Sequence, residues 1–146
     1  MSKTLLARRF ALSTAALAAV ALAGCRMFMP VPADLDYAPV QLSEKGTYRV
    51  SYTSDPSPTP VSKLHTWTIT VQTPDGKPVD GAELKVDGDM PQHGHGLPTR
   101  PVVTESLGNG AYKVEGMKFQ MGGWWQIYLD IDSQGAKDKA TFNLKL

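Results

Sequence analysis

From Thr47 to Leu146 the chain alternates apolar and polar residues over short runs, then breaks each run on Gly, Pro or Asn. A period of two puts every second side chain on the same face of an extended strand, so such runs are half-buried β-strands. His65–Gln72 is the clearest, with Trp67, Ile69 and Val71 on one face and threonines between them. Thr47–Thr53, Val79–Val86, Pro101–Ser106, Ala111–Met117, Trp125–Ile131 and Lys139–Leu146 follow the same rule. Pro74-Asp75-Gly76-Lys77-Pro78 and Leu107-Gly108-Asn109-Gly110 are turns with a mechanism, because Pro presets φ and Gly or Asn accepts a positive φ. No run after residue 33 has helical periodicity. The expected fold is all-β: an Ig-like antiparallel β-sandwich of about seven strands. The Cys…Trp…Cys signature of antibody domains is absent.

The amino terminus belongs to a different class of segment. Met1–Phe10 carries Lys3, Arg8 and Arg9, and Ala11–Ala23 is apolar or small and uncharged. That is a basic n-region and a short h-region of a signal peptide, too short for a convincing membrane span. It closes on Leu22-Ala23-Gly24-Cys25, which resembles a bacterial lipobox. Residues 1–24 are therefore expected to be removed and Cys25 to carry a diacylglycerol. The rivals are an ordinary signal peptide with a chance cysteine, or an uncleaved anchor. Arg26 after the cysteine resembles the outer-membrane sorting pattern of a Gram-negative cell. Arg8-Arg9-Phe10 bears only a faint likeness to a twin-arginine signal, so the export route stays open between Sec and Tat. Residues 25–42, with Pro30, Pro32 and Pro39, are expected to be a lipidated flexible tether, and 43–146 the β-sandwich domain.

Removal of the signal changes the charge. Of fifteen basic residues, three precede Cys25, leaving twelve against fourteen acidic ones, a net of −2. That is no electrostatic footprint for nucleic acid. The single cysteine, once acylated, leaves the domain without thiolate or disulfide. Core burial must hold the fold, and any metal site must use His, Met, carboxylate or backbone.

Two stretches stand out from the scaffold. Met90-Pro91-Gln92-His93-Gly94-His95-Gly96 holds two of the three histidines, and Gly116-Met117-Lys118-Phe119-Gln120-Met121-Gly122-Gly123-Trp124-Trp125 follows later in the chain. On an extended segment His93 and His95 point to one side. Met90 and Met121 offer thioethers, and imidazole with thioether favours Cu(I) over zinc. Trp124 is a candidate π cap over such an ion, with Met117 a further candidate. Two histidines do not make a zinc site unless Asp87 or Asp89 joins them. The competing reading is structural. Met117, Phe119 and Met121 have strand spacing and suit core packing, and the histidines suit hydrogen bonds to loop carbonyls. Trp124 and Trp125 point to opposite faces, one core and one surface. His65, at a strand start, is expected on the surface.

The residues that carry these patterns also carry a resemblance. Trp67-x-Ile69-x-Val71, Asp75-Gly76-x-Pro78-Val79-x-Gly81-Ala82, Met90-Pro91-x-His93-Gly94-His95-Gly96, Gly110-x-Tyr112-x-Val114 and Met121-Gly122-Gly123-Trp124 resemble the YtkA-like domain family, related to FixH-type proteins. The likeness covers roughly residues 63–131. It implies an exported or membrane-anchored Ig-like β-sandwich, with association to copper handling and oxidase assembly. FixH-type proteins carry a true membrane anchor where this chain has a lipobox.

Two functions are expected of such a chain. One is a lipid-anchored copper-binding or copper-trafficking domain on the periplasmic face of a membrane, using His93, His95, Met90 and Met121 and passing the ion to a copper-receiving protein. The other is a non-metal interaction module that docks on another envelope protein. Ser43, Ser51 and Ser106 lie in no nucleophile-elbow context, no phosphate-cradling Gly loop precedes a helix, and Asp87-Gly88-Asp89 lacks the other ligands of a calcium loop. An enzyme is not expected.

Overall fold

The computed structural model describes residues 30–146. The expected signal peptide and lipobox, with Cys25, lie outside the described residues. Residues from Pro32 to Leu146 form one compact unit.

Nine strands in two antiparallel sheets make up the described residues: β1 (Val40–Leu42), β2 (Arg49–Asp55), β3 (His65–Gln72), β4 (Glu83–Met90), β5 (His95–Gly96), β6 (Val102–Gly108), β7 (Ala111–Met117), β8 (Trp124–Ser133) and β9 (Ala136–Lys145). One sheet has the order β1-β2-β3-β7-β6 and the other β5-β4-β8-β9. The architecture is the expected sandwich, with two short strands, β1 and β5, beyond the seven anticipated. The first of them lies upstream of Ser43: Val40–Leu42 pairs with Arg49–Ser51, so part of the expected tether is sheet.

Alternation sets the core. Trp67, Ile69 and Val71 of β3, Tyr112 and Val114 of β7, Ile127, Leu129 and Ile131 of β8, and Phe142 and Leu144 of β9 are all buried between the sheets. Each such side chain contributes roughly 1.5–3 kcal/mol relative to exposure. Asn109 and Gly110, with φ of 53° and 71°, close the β6–β7 hairpin as expected, and Gln134-Gly135 does the same between β8 and β9.

One strand is longer than its sequence suggested. The alternation Leu84, Val86 continues through Gly88 to Met90, so the strand runs on through Asp87-Gly88-Asp89 and does not end at Val86. Gly88 is needed there. A Cβ at this position would meet Ile127 Cδ1 and the Gln126 carbonyl on the neighbouring β8. The aspartates face outward between buried positions, and Met90 arrives on the core side, fully buried.

His65 also departs from expectation. It is 6% exposed, because it shares parity with Trp67, Ile69 and Val71 and so belongs to their buried face.

Candidate metal centre at one end of the sandwich

Met90 ends β4, and the chain reverses at once. Its carbonyl accepts hydrogen bonds from the N–H groups of His93 and Gly94, both at 2.9 Å. Gly94 takes φ of 66°, the left-handed region that a glycine enters without strain. The chain then pairs back as β5, with His95 opposite Met90 and Gly96 opposite Asp89. His93 therefore sits in a turn and His95 on a returning strand. The extended-segment argument does not describe this geometry, yet the two rings still come together. Their centroids are 5.8 Å apart with 29° between planes. His93 is exposed and His95 half-buried.

The second stretch closes over the same place. Gln120 donates its amide N–H to His95 Nδ1 at 2.9 Å and to the Gly96 carbonyl at 3.3 Å. Trp125, fully buried, sets its ring 5.8 Å from that of His95 and 5.2 Å from Phe119. Its Nε1 donates to the Met121 carbonyl at 3.1 Å. Gly123 leaves room for Met90: a Cβ on Gly123 would stand 2.6 Å from Met90 Cε.

The structure thus brings Met90, His93 and His95 together, with Gln120 and Trp125 as further members. It places the other candidates differently. Met121 lies on the exposed side of its stretch, 38% accessible. Met117 is a core residue of β7, with no accessible surface. The indole against His95 is that of Trp125. Trp124, on the opposite face, donates Nε1 to Asn143 Oδ1 at 3.1 Å. Both tryptophans are buried, contrary to the expected split into core and surface. On that outer face Asn143, which accepts the indole N–H, is itself tied to the Asp36 carbonyl.

The carboxylates are engaged elsewhere. Asp89 accepts from the Tyr128 hydroxyl at 3.0 Å, and Asp87 accepts from the Gly88 N–H at 2.7 Å. Burial, with the Asp89 carboxylate beside it, pushes the Tyr128 phenol up to about 12. Among the described residues no three His, Cys, Asp or Glu side chains gather as a metal cluster. The donor set is two imidazoles and a thioether. The two rings are stacked with centroids 5.8 Å apart, so the imidazoles lie side by side at this end of the sandwich. These donor types are ones a soft ion takes.

Proton placement at His95 follows from Gln120. An Nδ1–H would face the Gly96 carbonyl at 3.4 Å, but with the Gln120 N–H as donor Nδ1 is bare and Nε2 holds the proton. Metal binding at Nε2 requires that proton to leave. Gln120 Oε1 is buried and has no hydrogen-bond partner among the described residues. A half-turn of the amide would offer that oxygen to an Nδ1–H and free Nε2.

The profile of the YtkA-like family matches residues 43–130. The chain belongs to the YtkA-like family. The matched span begins upstream of the expected residue 63, taking in β2, and ends within β8. It contains both stretches of the candidate centre, leaving β1 and β9 of the YtkA-like domain's two sheets outside it. No curated protein and no solved structure gives a significant match.

Neither Gln120 nor Trp125 was singled out by sequence. Trp125 had a signal, since it shares parity with Ile127, Leu129 and Ile131 on the core face of β8. Gln120 had none, because its role arises from a contact between separate loops.

Proposed function

We propose that this YtkA-like domain is a lipid-anchored extracytoplasmic protein that binds copper, as Cu(I), through His93 and His95. The observation that carries the reading is the pair of imidazole rings 5.8 Å apart, on a turn whose first residue is the buried thioether of Met90. Imidazole with thioether and no thiolate is a donor set that selects Cu(I). Met121, exposed on the neighbouring stretch, is the thioether available to an ion in transit. Half-exposed ligands suit a protein that passes its ion to a copper-receiving partner.

Titration of the purified soluble domain with Cu(I) against a competing chelator tests this. The His93→Ala, His95→Ala double variant is expected to lose at least tenfold in affinity, about 1.4 kcal/mol. Unchanged affinity removes His93 and His95 as the copper site.

A second reading, a docking module for another envelope protein such as a component of respiratory oxidase assembly, gains from a separate observation. The segments 56–64, 91–101 and 118–123 carry Lys63, Arg100 and Lys118 and no acidic residue. Leu64 and Val61 are exposed there as well. If the double variant keeps its copper affinity but loses a partner in crosslinking from intact cells, the docking reading replaces the first.

The anchor is tested separately. Cys25→Ala is expected to move the protein from the membrane fraction to the soluble fraction, and in a Gram-negative host Arg26 directs the lipidated form to the outer membrane.

A further inference from the structure

We propose that His65 and Met117 form a second, buried site for a soft monovalent cation, Cu(I) or Ag(I). The site stands on residues separate from His93 and His95, so it goes beyond the function proposed above.

The inference begins with an irregularity in pairing. β3 and β7 pair Trp67 with Val114 and His65 with Met117, so one β3 residue, Thr66, faces two β7 residues, Glu115 and Gly116. Gly116 absorbs the bulge at φ of 84°. Without it Met117 would share the parity of Lys113 and Glu115 and face outward. With it, Met117 lies inward and directly opposite His65. Opposed residues of an antiparallel pair have Cβ atoms about 4.5–5.5 Å apart on one face. The imidazole and the thioether therefore start from opposed positions on the core face.

The tautomer of a neutral His65 ring follows from its contacts. Nδ1 lies 3.1 Å from the Lys63 carbonyl. A carbonyl only accepts, so Nδ1 is the donor and a neutral ring carries its bare lone pair on Nε2. That atom is buried and has no hydrogen-bond partner among the described residues. A buried polar atom without a partner is destabilising, because it has given up its bond to water and gained none. A backbone carbonyl holding one ring nitrogen while the other is left bare is the arrangement that orients a metal-binding histidine. The soft partner across the strand is Met117, and the rings of Phe119 and Trp67 lie on the same side, Phe119 5.5 Å from His65. No carboxylate or thiolate is needed for a monovalent ion held between one nitrogen and one sulfur.

The contrast with the outer centre supports the assignment. There too a histidine faces a methionine across a strand pair, His95 opposite Met90. At His95, however, Nδ1 faces both the Gln120 amide and the Gly96 carbonyl, so which ring nitrogen is bare depends on how the amide is turned. His65 already presents a bare Nε2.

The rival occupant is a single internal water that accepts from the unpartnered Trp67 Nε1 and donates to His65 Nε2. Cu(I) titration separates the cases. The wild-type domain is expected to take up two equivalents of Cu(I), the His93→Ala, His95→Ala variant one, and the same variant with Met117→Leu none. Leucine keeps the volume of the buried side chain. No equivalent retained by the His93→Ala, His95→Ala variant, or retention by the triple variant, overturns the site. The same question is answered without substitution by adding Ag(I) to the isotope-labelled native domain. The Nε2 resonance of His65 and the Met117 methyl are expected to move together. If both stay still and a long-lived water shows cross-peaks to the His65 ring, water is the occupant and the site is refuted.

Discussion

Asp138→Asn probes what holds the end of the sandwich far from the histidines. The Asp138 carboxylate accepts from the backbone N–H groups of Lys45 and Thr47 at 3.2 Å and of Lys139 at 2.8 Å. Ser43 adds its hydroxyl to the same carboxylate and accepts the Tyr48 N–H at 2.8 Å. Together they pin the loop between β1 and β2 to β9. Burial by itself would raise the carboxyl pKa, but the hydrogen bonds from Ser43, Lys139, Thr47 and Lys45 outweigh it and hold the group well below the usual carboxylate range. An amide in its place keeps one acceptor oxygen and turns an NH2 toward backbone donors. Losing charge-assisted bonds at roughly 1.5–3 kcal/mol, with donors left unsatisfied, gives an expected loss of about 3 kcal/mol at pH 7. For a domain of this size that is about 12 °C in Tm. Because the folded pKa is depressed, the carboxylate's contribution is complete above the unfolded value of about 3.9 and is lost as pH falls from there through the folded value. Thermal unfolding followed by circular dichroism from pH 7 to pH 2.5 should show a gap between wild type and variant that is widest at neutral pH and narrows below pH 4. A gap below about 1 kcal/mol at pH 7, or one that stays constant into acid, would refute the reasoning.

Two further outcomes follow from the same geometry. The Tyr128 phenol, raised to about 12 by burial and by Asp89, should titrate near there by ultraviolet absorbance. Its raised folded pKa means that stability is lost as pH rises from about 10 toward 12, and Asp89→Asn should bring the titration downward. An ordinary phenol titration in the native protein would contradict the buried pairing. Gly123→Ala sets a Cβ 2.6 Å from Met90 Cε at a φ of 132°. It should cost about 1–3 kcal/mol in urea denaturation and shift the Met90 methyl resonance. An unmoved methyl would show that Met90 does not pack against that glycine.

The fold was legible because its signal is local. Period-two alternation with Gly, Pro and Asn punctuation marks β3, β7 and the Asn109-Gly110 hairpin residue by residue, and the same alternation, followed one step further, carries Met90 and His65 to the core face. The Met-Pro-Gln-His-Gly-His and Met-Gly-Gly-Trp stretches were legible as one candidate site for a similar reason: unusual residue types cluster within each. Which of those residues meet was decided only in three dimensions. The bulge at Gly116 inverts the parity that sequence spacing assigns to Met117. The turn at Gly94 brings His93 and His95 together by a path other than strand alternation. Gln120 reaches His95 across twenty-five positions of sequence, a contact with no periodic trace. Alternation is a property of one strand, whereas register, bulges and loop-to-loop hydrogen bonds are set by the packing of two sheets against each other.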